Sequence, residues 1–352
     1  MIGGALLIAV AAWVFGQTPQ APPTKAPDES RAAMVRVENF TVAPSTGPVA
    51  NVIVHNPAET ALTGTLRVNF PKGWTVTPAS HELKLSAGQT QSFPFAIKRA
   101  ADLQANVYPV EVRVESSANV VVRQEVVCAS APYYQPAIDG DPNEWKDSIP
   151  ITMTTAGRQT VVRLYWNRRD FCMMVEVEED ALAGYNPARP EGPFDAIQFA
   201  IAKRSARTGE SPADKAQRYE YLVADAGDDD RCFRLITPGT ELALARQKRP
   251  LEPLRLAEAK VVVKRTGRIT RYELAIPFKS MPELRPTPGR EFCFSLLVHD
   301  TDGAGLRDLG SVMNMWESNR PALAWCRVAG VKWPDRPPFD NKIEFGFCSS
   351  IH

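Results

Sequence analysis

Val298–Trp316 reads VHDTDGAGLRDLGSVMNMW, and this stretch decides the fold. Immediately before it, Phe292, Phe294, Leu296 and Val298 recur at every second position, which predicts a strand with one buried face. The strand stops at His299-Asp300-Thr301-Asp302-Gly303, where two carboxylates two residues apart meet a turn glycine. A polar, glycine-bearing loop follows and returns through Met313, Asn314 and Met315 to Trp316. A strand that delivers acidic residues and an aromatic to one rim is how a β-domain builds a site for gripping a ligand.

Working outward, the same period-2 grammar fills the second half. Thr160–Trp166 and Phe171–Glu178 flank a charged turn at Asn167–Asp170 and predict a hairpin. Phe194–Ala200, Tyr219–Val223, Arg231–Ile236, Val261–Lys264 and Ile269–Ile276 add strands, the last two joined at Thr266-Gly267-Arg268. Leu323–Val328 and Lys342–Phe347 complete the set, while Leu242–Ala257, broken by Pro250 and Pro253, reads as a loop with one helical turn. Many antiparallel strands without helical periodicity mean a large antiparallel β-sandwich or jelly roll over residues 136–352.

Residues 32–128 carry a second set of short strands. Val35/Val37, Val49–Val54, Leu62/Leu66/Val68, Phe93/Phe95/Ile97, Val110/Val112/Val114 and Val120–Val127 each alternate. About seven strands in about a hundred residues predict an immunoglobulin-like sandwich, so the chain is all-β throughout. Trp74 is read as a packing aromatic. Asn56-Pro57, Pro71-Lys72-Gly73-Trp74 and the run Leu83-Lys84-Leu85-Ser86-Ala87-Gly88 follow in an order that resembles the immunoglobulin-like domain associated with bacterial alpha-galactosidases. That resemblance implies a spacer or presentation module. Residues 129–135, rich in Pro and Tyr, read as the linker between the two sandwiches.

The chain of 352 residues balances 41 Lys and Arg against 40 Asp and Glu, a net charge of +1, so no global field draws it to nucleic acid. Met1–Gly16 is an uncharged apolar run: a signal peptide, or an N-terminal anchor tethering the chain to a membrane. Residues 17–31 form a flexible linker behind it. The expected location is therefore outside the cytoplasm: periplasmic, extracellular or at the cell surface. The six cysteines show no zinc or redox spacing, and spacing leaves their pairing open.

IDGDPNEW at 138–145, YW at 165–166, DAIQF at 195–199, YELAIPF at 272–278 and Gly289-x-x-Phe292-x-Phe294 leading into HDTDG at 299–303 occur in one order. That order resembles the family 9 carbohydrate-binding modules, sugar-binding sandwiches of secreted bacterial proteins, over about Pro136 to Val328. The resemblance implies a poly- or oligosaccharide partner, and a separate glycoside hydrolase acting on the same glycan. It places Trp316 at one aromatic wall of a sugar slot, with Phe194 or Tyr185 as the opposite wall. Aromatic faces cover the C–H patches of a pyranose, while planar polar groups bond its hydroxyls. Arg231 (or Arg234), Gln198 and Asn314 are the candidate polar contacts. Gln198 stands where that family carries Glu, and Phe194 where it commonly carries Trp.

Asp300 and Asp302 suit either a structural calcium ion or a carboxylate-capped turn. Paired acids of a glycosidase type, a nucleophile elbow, HExxH and a phosphate loop are not supplied as motifs, so the chain reads as non-catalytic. Two alternatives stand beside sugar binding. One is a haem-binding electron-transfer domain of the same sandwich type, using Met173, Met174, Met313 or Met315 with His299. The other is a structural cell-surface protein whose pocket has decayed.

Overall fold

The computed structural model describes residues 32–204, 216–227, 229–241, 247–309, 325–331 and 343–347. The chain is nearly all β. Residues 34–126 fold as two four-stranded sheets. One holds β1 (Met34–Val37), β2 (Val49–His55), β6 (Thr90–Arg99) and β4 (Thr75–Thr77), in that order. The other holds β5 (Ser80–Leu85), β3 (Leu62–Asn69), β7 (Tyr108–Glu115) and β8 (Val120–Val126). The alternation in β7 shows why: Tyr108, Val110, Val112 and Val114 are buried, and Glu111, Arg113 and Glu115 face outward. Each buried aliphatic of this kind stabilises the fold by about 1.5–3 kcal/mol relative to its exposed state. Trp74 packs among Phe40, Phe70 and Tyr108 at centroid distances of 5.8, 5.8 and 5.5 Å, as a packing aromatic should.

The rest of the chain builds two larger sheets. The five-stranded sheet runs β10 (Ile151–Thr155), β11 (Arg158–Trp166), β12 (Asp170–Glu178), β17 (Ile269–Pro277), β16 (Lys260–Thr266). The seven-stranded sheet runs β15 (Arg231–Ile236), β14 (Tyr219–Ala224), β13 (Ala196–Lys203), β18 (Glu291–Asp300), β20 (Ile343–Phe347), β9 (Ser130–Ala131), with β19 (Gly305–Asp308) on β18. Between them lies one core containing Phe171, Phe199, Tyr221, Tyr272, Phe294 and Leu296.

The segment expected as a linker is structural. Ser130–Ala131 pairs parallel with β20, and Ala129, Ser130 and Ala131 are all buried. The small side chains of Ala129 and Ala131 fit the main core, and the backbone is bonded on both sides: Ala129 N donates to Phe40 O at 2.6 Å, and Ala129 O accepts from Gly346 N at 3.0 Å. The sandwiches also touch through side chains. Asn106 Nδ2 donates to the carbonyls of Cys128 (3.0 Å) and Pro150 (2.8 Å), and Arg204 pairs with both Glu38 and Glu291.

Candidate functional site

Strands β13, β14 and β18 depart from the half-buried pattern. Their inward residues, such as Ile197, Phe199, Tyr221, Phe294 and Leu296, fill the main core. Their outward residues are buried too, so the second face of this sheet is covered. That face carries a polar island. Gln198 Nε2 donates to Glu220 Oε1 (2.6 Å) and to the Cys326 carbonyl (3.0 Å), while Gln198 Oε1 accepts from His299 Nε2 at 2.9 Å. Glu220 Oε1 also accepts from Cys326 N (2.7 Å), and its Oε2 takes Arg218 Nε and Nη2 at 2.9 and 2.7 Å. Arg218, Glu220, Gln198 and His299 are each at most 2% exposed. Apolar clusters flank the island: Phe194, Leu222 and Phe233 on one side, Ala200, Leu297 and Trp325 on the other. A buried ion pair tolerates such a place only when its remaining groups are bonded, and the Gln198 amide and Cys326 backbone do this for Glu220.

The network also explains a departure from the expected motif. At position 198 a carboxylate would face Glu220 with no proton to donate. The amide of Gln198 donates to both Glu220 and the Cys326 carbonyl, so glutamine is the residue this neighbourhood requires.

The aromatic walls expected at Phe194 and Tyr185 are not open. Phe194 is 1% and Tyr185 3% exposed, and their rings meet edge-on at 5.2 Å. Gly330, at φ +82°, lies over Phe194 so closely that a Cβ there would stand 2.8 Å from the ring. Those rings are packing, sealed by the returning segment 325–331. Arg231 is held by Glu252 (2.5 Å) and Asp229 (3.6 Å), away from the polar island's bonds. Trp316 and Asn314 lie outside the described residues, as do Met313, Met315 and residues 1–16, expected as a signal or an anchor. Met173 points into the main core and Met174 onto the outer face of the five-stranded sheet, whereas His299 bonds Gln198 on the outer face of the other sheet. Neither methionine can share an iron with His299, which removes those two haem pairs. Sequence reasoning missed Arg218 and Glu220; their only signal was polar residues within the otherwise apolar run RYEYLV.

The acidic turn forms a second cluster. Carboxylate oxygens of Asp195, Asp300 and Asp302 lie within 4.8 Å of one another, Asp195 being a member that spacing did not disclose. Asp195 is committed to the turn: Oδ1 accepts from Thr301 N (2.7 Å) and Oγ1 (2.9 Å), Oδ2 from Ala183 N (2.7 Å). Burial raises its pKa. Asp300 Oδ2 accepts from Ala304 N (2.9 Å) and from the buried Arg307 (2.7 Å), but its Oδ1 is buried without a hydrogen-bond partner. Gly303 closes over that oxygen; a Cβ there would sit 2.4 Å away. Three hard oxygen donors with one buried lone oxygen fit a divalent cation of the calcium type.

Two of the sequence motifs meet on the opposite sheet. Glu273, from YELAIPF, accepts from Trp145 Nε1 (2.5 Å), Gly140 N (2.5 Å) and Asp139 N (3.0 Å), all from IDGDPNEW.

Comparison with known proteins bears first on the N-terminal sandwich. The sequence model of the family described as NPCBM-associated, NEW3 domain of alpha-galactosidase matches residues 45–117. No curated protein matches the chain. Among solved structures it is similar to a carbohydrate binding module family 9 from Caldicellulosiruptor kristjanssonii in complex with glucose, at 17% identity and TM-score 0.34, over 51% of this chain and 82% of that one. The same module with cellotriose gives 16%, 0.34, 51% and 80%. The E. coli chaperone DraB gives 9% identity and TM-score 0.22, over 60% of this chain and 93% of that one.

Proposed function

We propose that this protein binds carbohydrate without converting it, using the outer face of the seven-stranded sheet, with the N-terminal sandwich as a spacer. The observation that carries this reading is the polar island of Gln198, Arg218, Glu220 and His299 between two apolar clusters. These groups are buried and bonded to one another, so Gln198 is not itself a sugar contact; the island is a rigid floor beneath the segment that would carry the ligand. Residues 310–324, which include Asn314 and Trp316, lead from Leu309 in the main core to Trp325, which is buried against the outer face of this sheet. Trp316 supplies the aromatic platform, Asn314 a polar contact, and Arg218 and Glu220 orient the groups beneath. A calcium ion on Asp195, Asp300 and Asp302 fixes the turn between β18 and β19. The protein is exported through residues 1–16, as a signal or a retained tether, and holds a glycan on which a separate glycoside hydrolase acts.

A decayed pocket with a purely structural role is favoured by one observation, the sealed Phe194 and Tyr185 rings. Calorimetric titration with glucose, cellotriose and a panel of other mono- and disaccharides, with and without chelator, separates the two. Saturable heat with a sugar supports binding; its absence across the panel supports the structural role.

A further inference from the structure

A cavity of about 450 Å³ opens at one end of the five-stranded sheet, within the range of about 300–1,000 Å³ usual for ligand sites. It forms where three strand ends meet. β12 begins at Asp170 opposite Pro277, the end of β17, and β16 begins at Lys260 opposite Ala275. Paired residues share a face, so Lys260 and Ala275 stand side by side on the outer surface. Ala275, Pro277 and Phe278 supply apolar wall. Around them stand Arg168, Arg169, Lys260 and Lys279, all exposed.

The charge in this groove is not balanced. Of its two carboxylates, Glu258 already accepts from Ser280 Oγ at 2.9 Å, and Asp170 lies 3.8 Å from Arg169. Arg168, Lys260 and Lys279 form no ion pair among the described residues. Elsewhere this chain pairs its surface cations readily, as Arg67 with Glu115 or Arg123 with Glu111. Converging like charges over an apolar floor is what an anion-bearing ligand with a C–H face requires: guanidinium and ammonium groups take the carboxylate, and the floor takes the ring.

Two exposed tyrosines pack on Tyr165 and Trp166, the residues that lead into the Asn167–Asp170 turn at the groove's edge. Tyr133 and Tyr134 are 42% and 43% exposed, among the largest exposed apolar side chains described. Tyr134 rests on Tyr165 at 5.0 Å, Tyr133 stands edge-on to Trp166 at 4.9 Å, and Tyr134 N donates to Trp166 O. Each ring is backed by a buried one and turned to solvent, a platform for a second sugar ring.

We infer that this groove is a second saccharide site, selective for acidic sugars of the uronate class, with Arg168, Lys260 and Lys279 holding the carboxylate. It lies on the sheet opposite the polar island. It rests on the carbohydrate reading only for the choice of a sugar acid as the anion.

Calorimetric titration of the full chain with trigalacturonate, its methyl ester, cellotriose and inorganic phosphate tests it, alongside the K260Q/K279Q and R168Q variants. All three side chains are exposed, so an unchanged Tm verifies the fold of each variant. Trigalacturonate should bind, weaken as salt rises from about 50 to about 300 mM, and lose at least tenfold in affinity in K260Q/K279Q, while cellotriose affinity stays as in the parent. Methyl ester binding as tightly as the acid, phosphate displacing the trisaccharide at equal concentration, unchanged affinity in the variants, or no binding of trigalacturonate would each overturn the assignment. No heat with any neutral sugar of the panel, while trigalacturonate binding depends on Lys260 and Lys279, would sink the polar-island reading alone.

Discussion

The indole nitrogen of Trp145 donates to Glu273 Oε1 at 2.5 Å, between a fully buried ring and a fully buried carboxylate. With Gly140 N and Asp139 N on the other oxygen, this bond fastens the start of the second sandwich to the outer face of its five-stranded sheet. Trp145 also stacks on Tyr165 at 5.0 Å. Trp145→Phe keeps much of the packing and removes the donor. It should cost about 1–3 kcal/mol, the penalty of a buried acceptor left without its partner. Urea denaturation of the variant reads this directly.

Glu179 gives the fold a pH dependence. It is fully buried, and that burial, reinforced by Asp195 and Asp300, raises its pKa to about 7 despite Arg265 at 3.4 Å. Its unfolded value is near 4.5. The folded state therefore prefers the protonated acid: that stability is full below about pH 4.5 and is lost as pH rises through about 7. Thermal melts of Glu179→Gln should show a smaller decline over this window than the parent. Parallel curves would assign the decline to other groups.

The polar island makes a test of its glutamine. Gln198→Glu sets a second carboxylate against Glu220 in place of the 2.6 Å amide bond. Burial and the like charge nearby disfavour ionisation of the introduced carboxyl, so the variant should be about 2–4 kcal/mol less stable at pH 8. The gap should narrow toward pH 5, where the introduced carboxyl takes up a proton and can donate to Glu220. Glu220→Gln, which leaves the guanidinium of Arg218 without its charge partner, should cost about 3–5 kcal/mol at either pH.

Calcium should raise the Tm of the parent, since a ligand held only by the fold adds about 2.7 kcal/mol at a hundredfold excess over Kd. Asp302→Asn, the exposed member of the trio, should weaken this response without lowering stability in chelator. A Tm unmoved by millimolar calcium, or equal gains in parent and variant, would leave the three carboxylates as turn caps.

Much of the architecture was legible because one face of most strands meets water. Tyr108–Glu115 alternates in sequence and in burial, and the hairpin at Thr266-Gly267-Arg268 joins β16 to β17 through Gly267 at φ +61°. Legibility failed where both faces are covered. In AIQFAIAK every residue but the last is buried, so apolar content no longer marks the inward face, and Phe194 and Tyr185 looked as available as any surface aromatic. Asp195 and Asp300 are distant in sequence and meet through Thr301, a contact no spacing encodes. The two residues of β9 are too short a strand to show a period, and the prolines and tyrosines that follow, Pro132 to Pro136, resembled a linker.

The most direct test of the central claim is the affinity of the parent and of Trp316→Ala for whichever sugar in the panel binds, measured by calorimetry at equal Tm. Loss of an aromatic anchor should weaken binding by about 1–3 kcal/mol. Equal affinity in parent and variant, or no heat with any sugar tried, would contradict the account.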